Sequence, residues 1–146
     1  MGIRVQVQAQ DFDPLELQRQ LEGDDAGAVV TFTGYVKAGT DAVTAIELEH
    51  YPGMTERSIE AIAREAVERW SLKSVGVVHR IGRLDTGAQI VWVGASALHR
   101  GEAFSGCEFV MDYLKTRAPF WKKEFGQFGE HWVEARDSDQ QRAGRW

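Results

Sequence analysis

Apolar residues recur at two different periods along this chain, and each period predicts one kind of secondary structure. Ile3, Val5 and Val7 alternate with polar residues, which is typical of a half-buried strand. Alternation or β-branched residues predict five further strands, at 28–36, 43–51, 75–81, 90–95 and 131–135. The fourth of these is almost wholly apolar, which predicts a central strand covered on both faces. It should form a hairpin with the strand before it.

Helices are predicted where apolar residues recur every three or four positions. Asp13 and Pro14 form a cap and a first-turn proline, so a short helix should begin there. A longer apolar stripe predicts a helix over 55–70. Another runs over 103–118 and must end near Pro119, because proline lacks the backbone donor that a helix needs.

Composition limits the classes of function. The 146 residues are 43% hydrophobic, which is enough for one domain with a sizeable core. A formal net charge of −5 argues against a general nucleic-acid or anionic-membrane binder, so any anion site must be local. The first residues lack the apolar core of a signal peptide, and no apolar run reaches membrane-spanning length.

The cysteine and histidine content argues against disulfide and metal chemistry. Cys107 is the single cysteine and lies on the apolar stripe of the predicted helix, so we expect a buried small hydrophobe and a reducing cytoplasm. The histidines are far apart in sequence and lack the paired spacing of zinc ligands. No metal site is predicted.

Cationic side chains concentrate on both sides of Pro119, within the segment 111–124. Lys115 lies at the margin of the apolar stripe, so it should be partly desolvated. The bend at the proline can bring Lys122 back toward it, with Lys123 adjacent, and both burial and a like charge favour a neutral amine. Such a lysine could act as base or nucleophile. The alternative is that these are solvated lysines that stabilise the negative end of a helix.

Two further places could bind an anion. His99 and Arg100 stand between a strand and a helix, where free amides and a guanidinium attract phosphate. The loop that begins at Lys37 offers a cation and backbone amides. Both have a simpler alternative, since a His-Arg pair also occurs by chance at His79 and a glycine-containing loop is often only a surface turn.

Several blocks of sequence, in one order along nearly the whole chain, resemble the large, catalytic subunit family of molybdopterin synthase. They are GAVVTFTG at 27–34, LEHYPGMTE at 48–56, HRIG at 79–82, HR at 99–100, MDYLKTRAPFWK at 111–122 and WVEARDSDQQ at 132–141. The resemblance implies an α+β fold of the α/β hammerhead type. It would be a single domain over 1–146, with mixed and antiparallel sheets and two main helices.

The resemblance also implies an activity. Two sulfurs would pass in succession from a small ubiquitin-like carrier subunit, whose C-terminal Gly-Gly bears a thiocarboxylate, to cyclic pyranopterin monophosphate. The product is the dithiolene of molybdopterin, an intermediate in molybdenum cofactor biosynthesis, and the step needs no cofactor. The family is cytoplasmic and forms a homodimer that accepts one carrier on each protomer, which makes a heterotetramer.

Site residues follow by resemblance. Lys115 and Lys122 match the functional lysines of the family. Substrate-pocket positions match Tyr35, Val36, Lys37, His99, Arg100, Lys123, Glu124 and, reaching the neighbouring protomer, Arg136. Lys37 stands where the family usually has arginine, and lysine keeps the charge but loses the planar fork, so this contact should be weaker.

Two other functions use the same side chains. A non-catalytic adaptor could hold an extended partner tail in a basic groove, with the lysines acting only as charges. A Schiff-base lyase would also use a desolvated lysine and would be trapped by borohydride with small carbonyl substrates. Replacing Lys115 by Arg separates charge from amine chemistry, because arginine does not lose its proton.

Overall fold

The computed structural model describes residues 2–23, 25–37, 43–133 and 137–146. The strands are β1 (Gly2–Gln8), β2 (Ala28–Tyr35), β3 (Val43–His50), β4 (Ser74–Arg80), β5 (Gly82–Asp85), β6 (Gln89–Ala97), β7 (Phe120–Gly126) and β8 (Gly129–Val133). The helices are α1 (Pro14–Arg19), α2 (Met54–Trp70), α3 (Arg100–Leu114) and α4 (Asp137–Gly144). The predicted α+β class is confirmed, and the described residues form a single compact unit.

The first sheet has the strand order β1-β4-β6-β2, with β1 parallel to β4 and the other pairs antiparallel. The predicted hairpin of β4 and β6 is confirmed, and so is the central, doubly covered position of β6. One face of β6 packs on the main core, while Trp92 on the other face packs on Leu17 of α1 and on Leu21 just after that helix. Gly94 permits this, because a Cβ there would meet Leu21 at 2.4 Å.

Helices α2 and α3 cover one face of the first sheet and form the main core with it. Their apolar stripes bury residues such as Ile59 and Phe109, both fully inaccessible to solvent. Phe109 contacts Trp70, Tyr113 and Trp146 edge to face. This arrangement lets large rings fill the core with favourable quadrupole contacts. None of the described helices is long and apolar enough to cross a membrane.

The second sheet is antiparallel, with the order β5-β3-β7-β8. Its buried cluster is small and consists of Val36, Val43, Ile46, Leu48 and Leu84. Strands β5 and β7 were not predicted. The segment of β5 was expected to be only an irregular hairpin tip, but it pairs with β3 and so belongs to this second sheet.

The C-terminal residues form α4, which the sequence pattern did not predict. Buried Asp112 of α3 accepts hydrogen bonds from Arg142 at 3.3 Å, Arg145 at 3.2 Å and the Trp146 indole at 2.6 Å. A hydrogen bond with Glu108 and, to a smaller extent, the one with Asp112 raise the pKa of Arg145. These charge-assisted contacts hold α4 against α3.

Candidate active site

The two candidate lysines lie on either side of a turn that leads from α3 into β7. Helix α3 ends at Leu114, and the Lys115 amide donates to the Met111 carbonyl oxygen as the helix closes. The Pro119 carbonyl oxygen then accepts a hydrogen bond from Thr55 Oγ1 at 3.0 Å, which fixes the turn to the start of α2. Lys122 is half-buried, but Lys115 is exposed. The expected partial desolvation of Lys115 is therefore wrong for this protomer, because the helix ends before it.

A groove of about 390 Å³ runs between the first sheet and α3 and reaches Lys115. Apolar and polar side chains from β2, α3 and α4 line it, namely Val30, Thr31, Phe32, Phe104, Cys107, Glu108, Met111, Asp112, Asp139 and Arg142. Phe32 and Phe104 are exposed in its walls. The groove thus combines an apolar lining with an amine at one end.

Cys107 is a buried wall residue of this groove, as its place on the apolar stripe predicted. Its thiol donates to the Val93 carbonyl oxygen with an Sγ to O distance of 3.7 Å. Burial, with a smaller effect of the Glu108 charge, raises the pKa of this thiol to about 12. It is therefore protonated at neutral pH and does not act as a nucleophile.

Successive residues of β7 point to opposite faces of the second sheet. Lys122 and Glu124 share the face that carries Leu48 and Ile46, their partners on β3. Glu124 Oε1 lies 3.6 Å from the His131 imidazole. The candidate base and the candidate carboxylate are therefore neighbours on one face.

Lys123 lies on the other face of β7. Its Nζ stands 4.7 Å from the centre of the Trp132 ring and 3.6 Å from a Glu130 oxygen. The structure does not bring Lys123 together with Lys122, although the two are adjacent in sequence. The alternation of a strand separates them.

His79 also lies in this region, although the sequence analysis attributed its His-Arg pair to chance. Its ring stacks on Phe120 with centroids 3.9 Å apart and planes 18° from parallel. Its pKa is lowered to about 4, chiefly by burial, against the hydrogen bond to the Arg80 carbonyl, which raises it, and with smaller electrostatic contributions from Lys115 and His50. The available signal was its spacing from Val75 and Val77, which predicts that all three share one buried face of the strand.

His99 and Arg100 lie at the opposite end of α3 from Lys115. Fifteen residues of helix separate them, which corresponds to roughly 22 Å along the axis. His99 occupies the N-cap, and within the described chain its side chain makes no capping hydrogen bond. Both side chains are exposed at a helix start, as predicted. They do not meet the lysines within one protomer.

The loop residues divide in a similar way. Tyr35 and Lys37 are exposed, whereas Val36 is only 3% exposed and packs in the small core of the second sheet. Its amide donates to Ala88 and its carbonyl accepts from Gly87. The Val36 side chain is thus packed in the fold, and the contact of this position with a substrate stays a prediction. Residues 38–42 and Arg136 lie outside the described residues.

Gly34 marks an irregularity in β2 that was predicted as a bulge or a close approach. The pairing of β2 with β6 shifts its register between Gly34 and Tyr35. A Cβ at Gly34 would lie 2.9 Å from a Val91 methyl carbon, so both readings are confirmed. Just after this shift, Val36 packs in the buried cluster of the second sheet.

Fold and site together define a small α+β protein with a groove that one of the candidate lysines, Lys115, lines. The family model described as MoaE protein matches residues 7–117. The chain belongs to this family, and its relatives are molybdopterin synthase catalytic subunits, so the resemblance seen in the sequence is confirmed.

Individual relatives match over nearly their whole length. The chain is 53% identical to the molybdopterin synthase catalytic subunit of Vibrio cholerae, over 100% of this chain and 99% of that protein. It is 57% identical to the Escherichia coli protein of the same name, over 86% and 85% of the two chains. The molybdopterin biosynthesis MoaE protein from Burkholderia ambifaria superposes with a TM-score of 0.82 at 50% identity, covering 99% and 97%.

Proposed function

We propose that this chain transfers sulfur from the thiocarboxylated C-terminus of a small ubiquitin-like carrier subunit to cyclic pyranopterin monophosphate, which forms the molybdopterin dithiolene. The observation that carries the proposal is the groove that reaches Lys115. Membership in a family of catalytic subunits supports the same reaction class. Each half-reaction would move one sulfur from a carrier tail to the pterin side chain, as a cytoplasmic step of cofactor biosynthesis.

The groove suits an extended tail that ends in glycine. It runs beside β2, which stands at the end of the strand order of the first sheet. An edge strand offers backbone groups that an extended peptide can pair with. Glycines carry no side chain, so a Gly-Gly end needs little room beside Phe32 and Phe104 in the groove. The thiocarboxylate would then arrive beside Lys115.

Lys115 is the proposed catalytic amine, and Lys122 is the proposed partner that supplies or receives its proton. Because Lys115 is exposed in the protomer, its amine would be desolvated by the carrier tail itself, which would cover the amine and remove its water when it binds. Desolvation favours the neutral form of a lysine, which is the form able to attack or polarise a carbonyl. Glu124 shares the face of Lys122 and would hold that side chain in place.

The phosphate of the substrate suits His99 and Arg100. A guanidinium and the free amides of a helix start bind phosphate together. Because these residues lie roughly 22 Å from Lys115 along α3, we infer a site shared between two copies of the chain, in which one protomer supplies the phosphate contacts and the other the lysines. Tyr35, Lys37 and Arg136 remain candidate contacts of such a shared pocket, within a homodimer that binds two carriers.

The exposure of Lys115 also favours a second candidate, the non-catalytic adaptor. In that role the exposed lysine would serve as a fixed positive charge that attracts an acidic or extended partner tail, without amine chemistry. The two candidates differ in one variant, Lys115→Arg, which keeps the charge and cannot supply an amine at neutral pH.

The test mixes the purified chain with thiocarboxylated carrier and cyclic pyranopterin monophosphate and follows dithiolene product by mass spectrometry. We expect product with the natural chain and a loss of about 100-fold or more with Lys115→Arg, as for removal of an acid–base group. Lys73→Arg is the matched control, since Lys73 is distant in sequence from Lys115 and forms an ion pair with Asp25. Absence of product with the natural chain would remove the enzyme proposal, and full activity of Lys115→Arg would leave the adaptor.

A further inference from the structure

The turn between the two lysines rests on the ring of His79. His79 belongs to β4 of the first sheet, and Phe120 is the first residue of β7 in the second sheet. Their rings stack at a centroid distance of 3.9 Å. Phe120 lies two residues before Lys122, on the same face of β7. The stack therefore joins the two sheets where the chain passes from Lys115 to Lys122.

The protonation of the ring follows from its hydrogen bond. Nδ1 of His79 lies 2.8 Å from the Arg80 carbonyl oxygen. A carbonyl can only accept, so Nδ1 carries the proton and Nε2 keeps the lone pair of a neutral imidazole. Burial outweighs the opposing effect of this hydrogen bond and lowers the pKa of the ring to about 4, so the ring is uncharged at pH 7.

The surroundings of the ring explain why it stays neutral. Lys115 from the end of α3 and His50 from β3 are the charged or titratable groups that lower its pKa after burial does. On the neighbouring strands its register partners are Val7 and Val91, which carry no charge. A proton on His79 would place a charge on a ring that burial already holds neutral and would add to the positive charge of Lys115, which is unfavourable.

We propose that His79 is a positioning residue of the sulfur-transfer site, whose neutral ring fixes Phe120 and thereby holds Lys122 in its place relative to Lys115. This inference rests on the proposed function. His79 touches neither carrier nor pterin in this account and acts only through Phe120. Catalysis by two groups requires their separation to be held closely, and a misplacement of about 1 Å can cost about 100-fold in rate.

The kinetic test compares three variants in the dithiolene assay. His79→Ala removes the stack and should lower kcat by about 30- to 100-fold with little change in KM for the carrier, because the groove is intact. His79→Phe keeps an aromatic ring on Phe120 and should restore most of that loss. Val78→Ala is the matched control, because it also shortens a buried residue of β4 but on the opposite face, against Trp92.

Each kinetic outcome decides the proposal. A normal kcat for His79→Ala would overturn it, and so would an equal loss of kcat in folded Val78→Ala, which would mean that any disturbance of β4 suffices. Failure of the natural chain to form product would instead remove the proposed function on which the inference depends. Thermal unfolding of each variant shows that the assays are made on folded protein.

A second measurement does not depend on activity and uses the natural fold. NMR titration of the His79 imidazole should show the Nδ1-protonated tautomer and a pKa far below the ordinary value of a histidine. Lys115→Gln should raise that pKa, because it removes a nearby positive charge. Lys73→Gln should leave it unchanged. A His79 pKa that does not respond to Lys115→Gln would show that the ring does not lie beside this amine, and the proposal would fail.

Discussion

The two sheets of this protein are built differently. The first is covered on both faces, by α2 and α3 on one side and by α1 with Leu17 and Leu21 on the other. The second buries one small cluster and leaves Trp121 and Trp132 about half exposed on its outer face. Most of the apolar surface that becomes buried on folding thus belongs to the first sheet and its helices. The second sheet therefore contributes much less to stability.

The candidate chemistry lies where these two parts meet. Lys115 ends the helix that packs on the first sheet, whereas Lys122 lies on a strand of the second. The difference teaches that the two candidate lysines have unlike surroundings, because Lys115 is exposed at the end of the packed helix whereas Lys122 is half-buried on the inner face of the thinner sheet. Side chains on the second sheet can change with small cost to the fold, whereas those behind the first sheet cannot.

The largest expected effect concerns stability. Phe109→Ala empties a fully buried ring site among Trp70, Tyr113 and Trp146, and should lower the free energy of unfolding by about 3–5 kcal/mol. Leu84→Ala in the small cluster of the second sheet should cost less, about 2 kcal/mol. Urea unfolding of both variants measures the difference. A larger cost for Leu84→Ala would reverse the comparison between the sheets.

The next effect concerns pH at the contact between the sheets. His79 has a folded pKa of about 4 and an ordinary value of 6.5, so the unfolded chain takes up a proton that the folded chain refuses. The contribution of His79 to the free energy of unfolding is therefore fully present above its ordinary pKa, and it falls as the pH drops toward 4. The loss from this group amounts to roughly 3 kcal/mol at most, at about 1.4 kcal/mol for each unit.

The measurement for this prediction is urea unfolding at several pH values between 7.5 and 4. His79→Phe lacks the titrating group, so its stability should fall less over this interval than that of the natural chain. Parallel curves for the two proteins would mean that His79 titrates normally in the fold. His131→Gln is a suitable control, because that ring is exposed.

The smallest expected effect, expressed as a free energy, is a difference in reaction rate between substitutions on the two faces of β7. Lys122→Ala should lower the rate of dithiolene formation by about 100-fold, which is about 2.7 kcal/mol, because it removes the proposed proton partner. Lys123→Ala should lower it by about threefold at most, since its amine lies over Trp132 on the other face. Both should change stability by about 1 kcal/mol or less. Equal losses of rate would show that both faces of the strand meet the substrate.

Much of the fold could be predicted from the chain alone, and the exceptions have physical reasons. Strand β6 was clear because a run of apolar residues can be satisfied only by cover on both faces. Strand β7 was missed because its two faces each mix aromatic and charged residues, as in Trp121 beside Lys123, so no period of two is visible. Helix α4 was missed because it is mainly polar and is held by Asp112, which lies far away in sequence.

The candidate site was predicted in its chemistry more than in its geometry. Lys115, Lys122 and the helix start at Arg100 were identified by residue type and by resemblance. The exposure of Lys115, the burial of Val36 and the separation of Lys123 from Lys122 were not, because each depends on packing against distant strands. His79 was set aside because a His-Arg pair alone carries little information.

The amino-acid sequence by itself determined most of the local elements, the composition of the core, the cationic segment on both sides of Pro119 and the family to which the blocks of residues belong. These properties depend on neighbours a few positions apart, whose period and chemistry are visible in the chain. Only the tertiary structure decided that the ring of His79 lies against Phe120, that Lys115 is exposed and that Val36 is buried. Such relations arise from the pairing of segments that are remote in sequence, because burial and sheet register are properties of the whole fold.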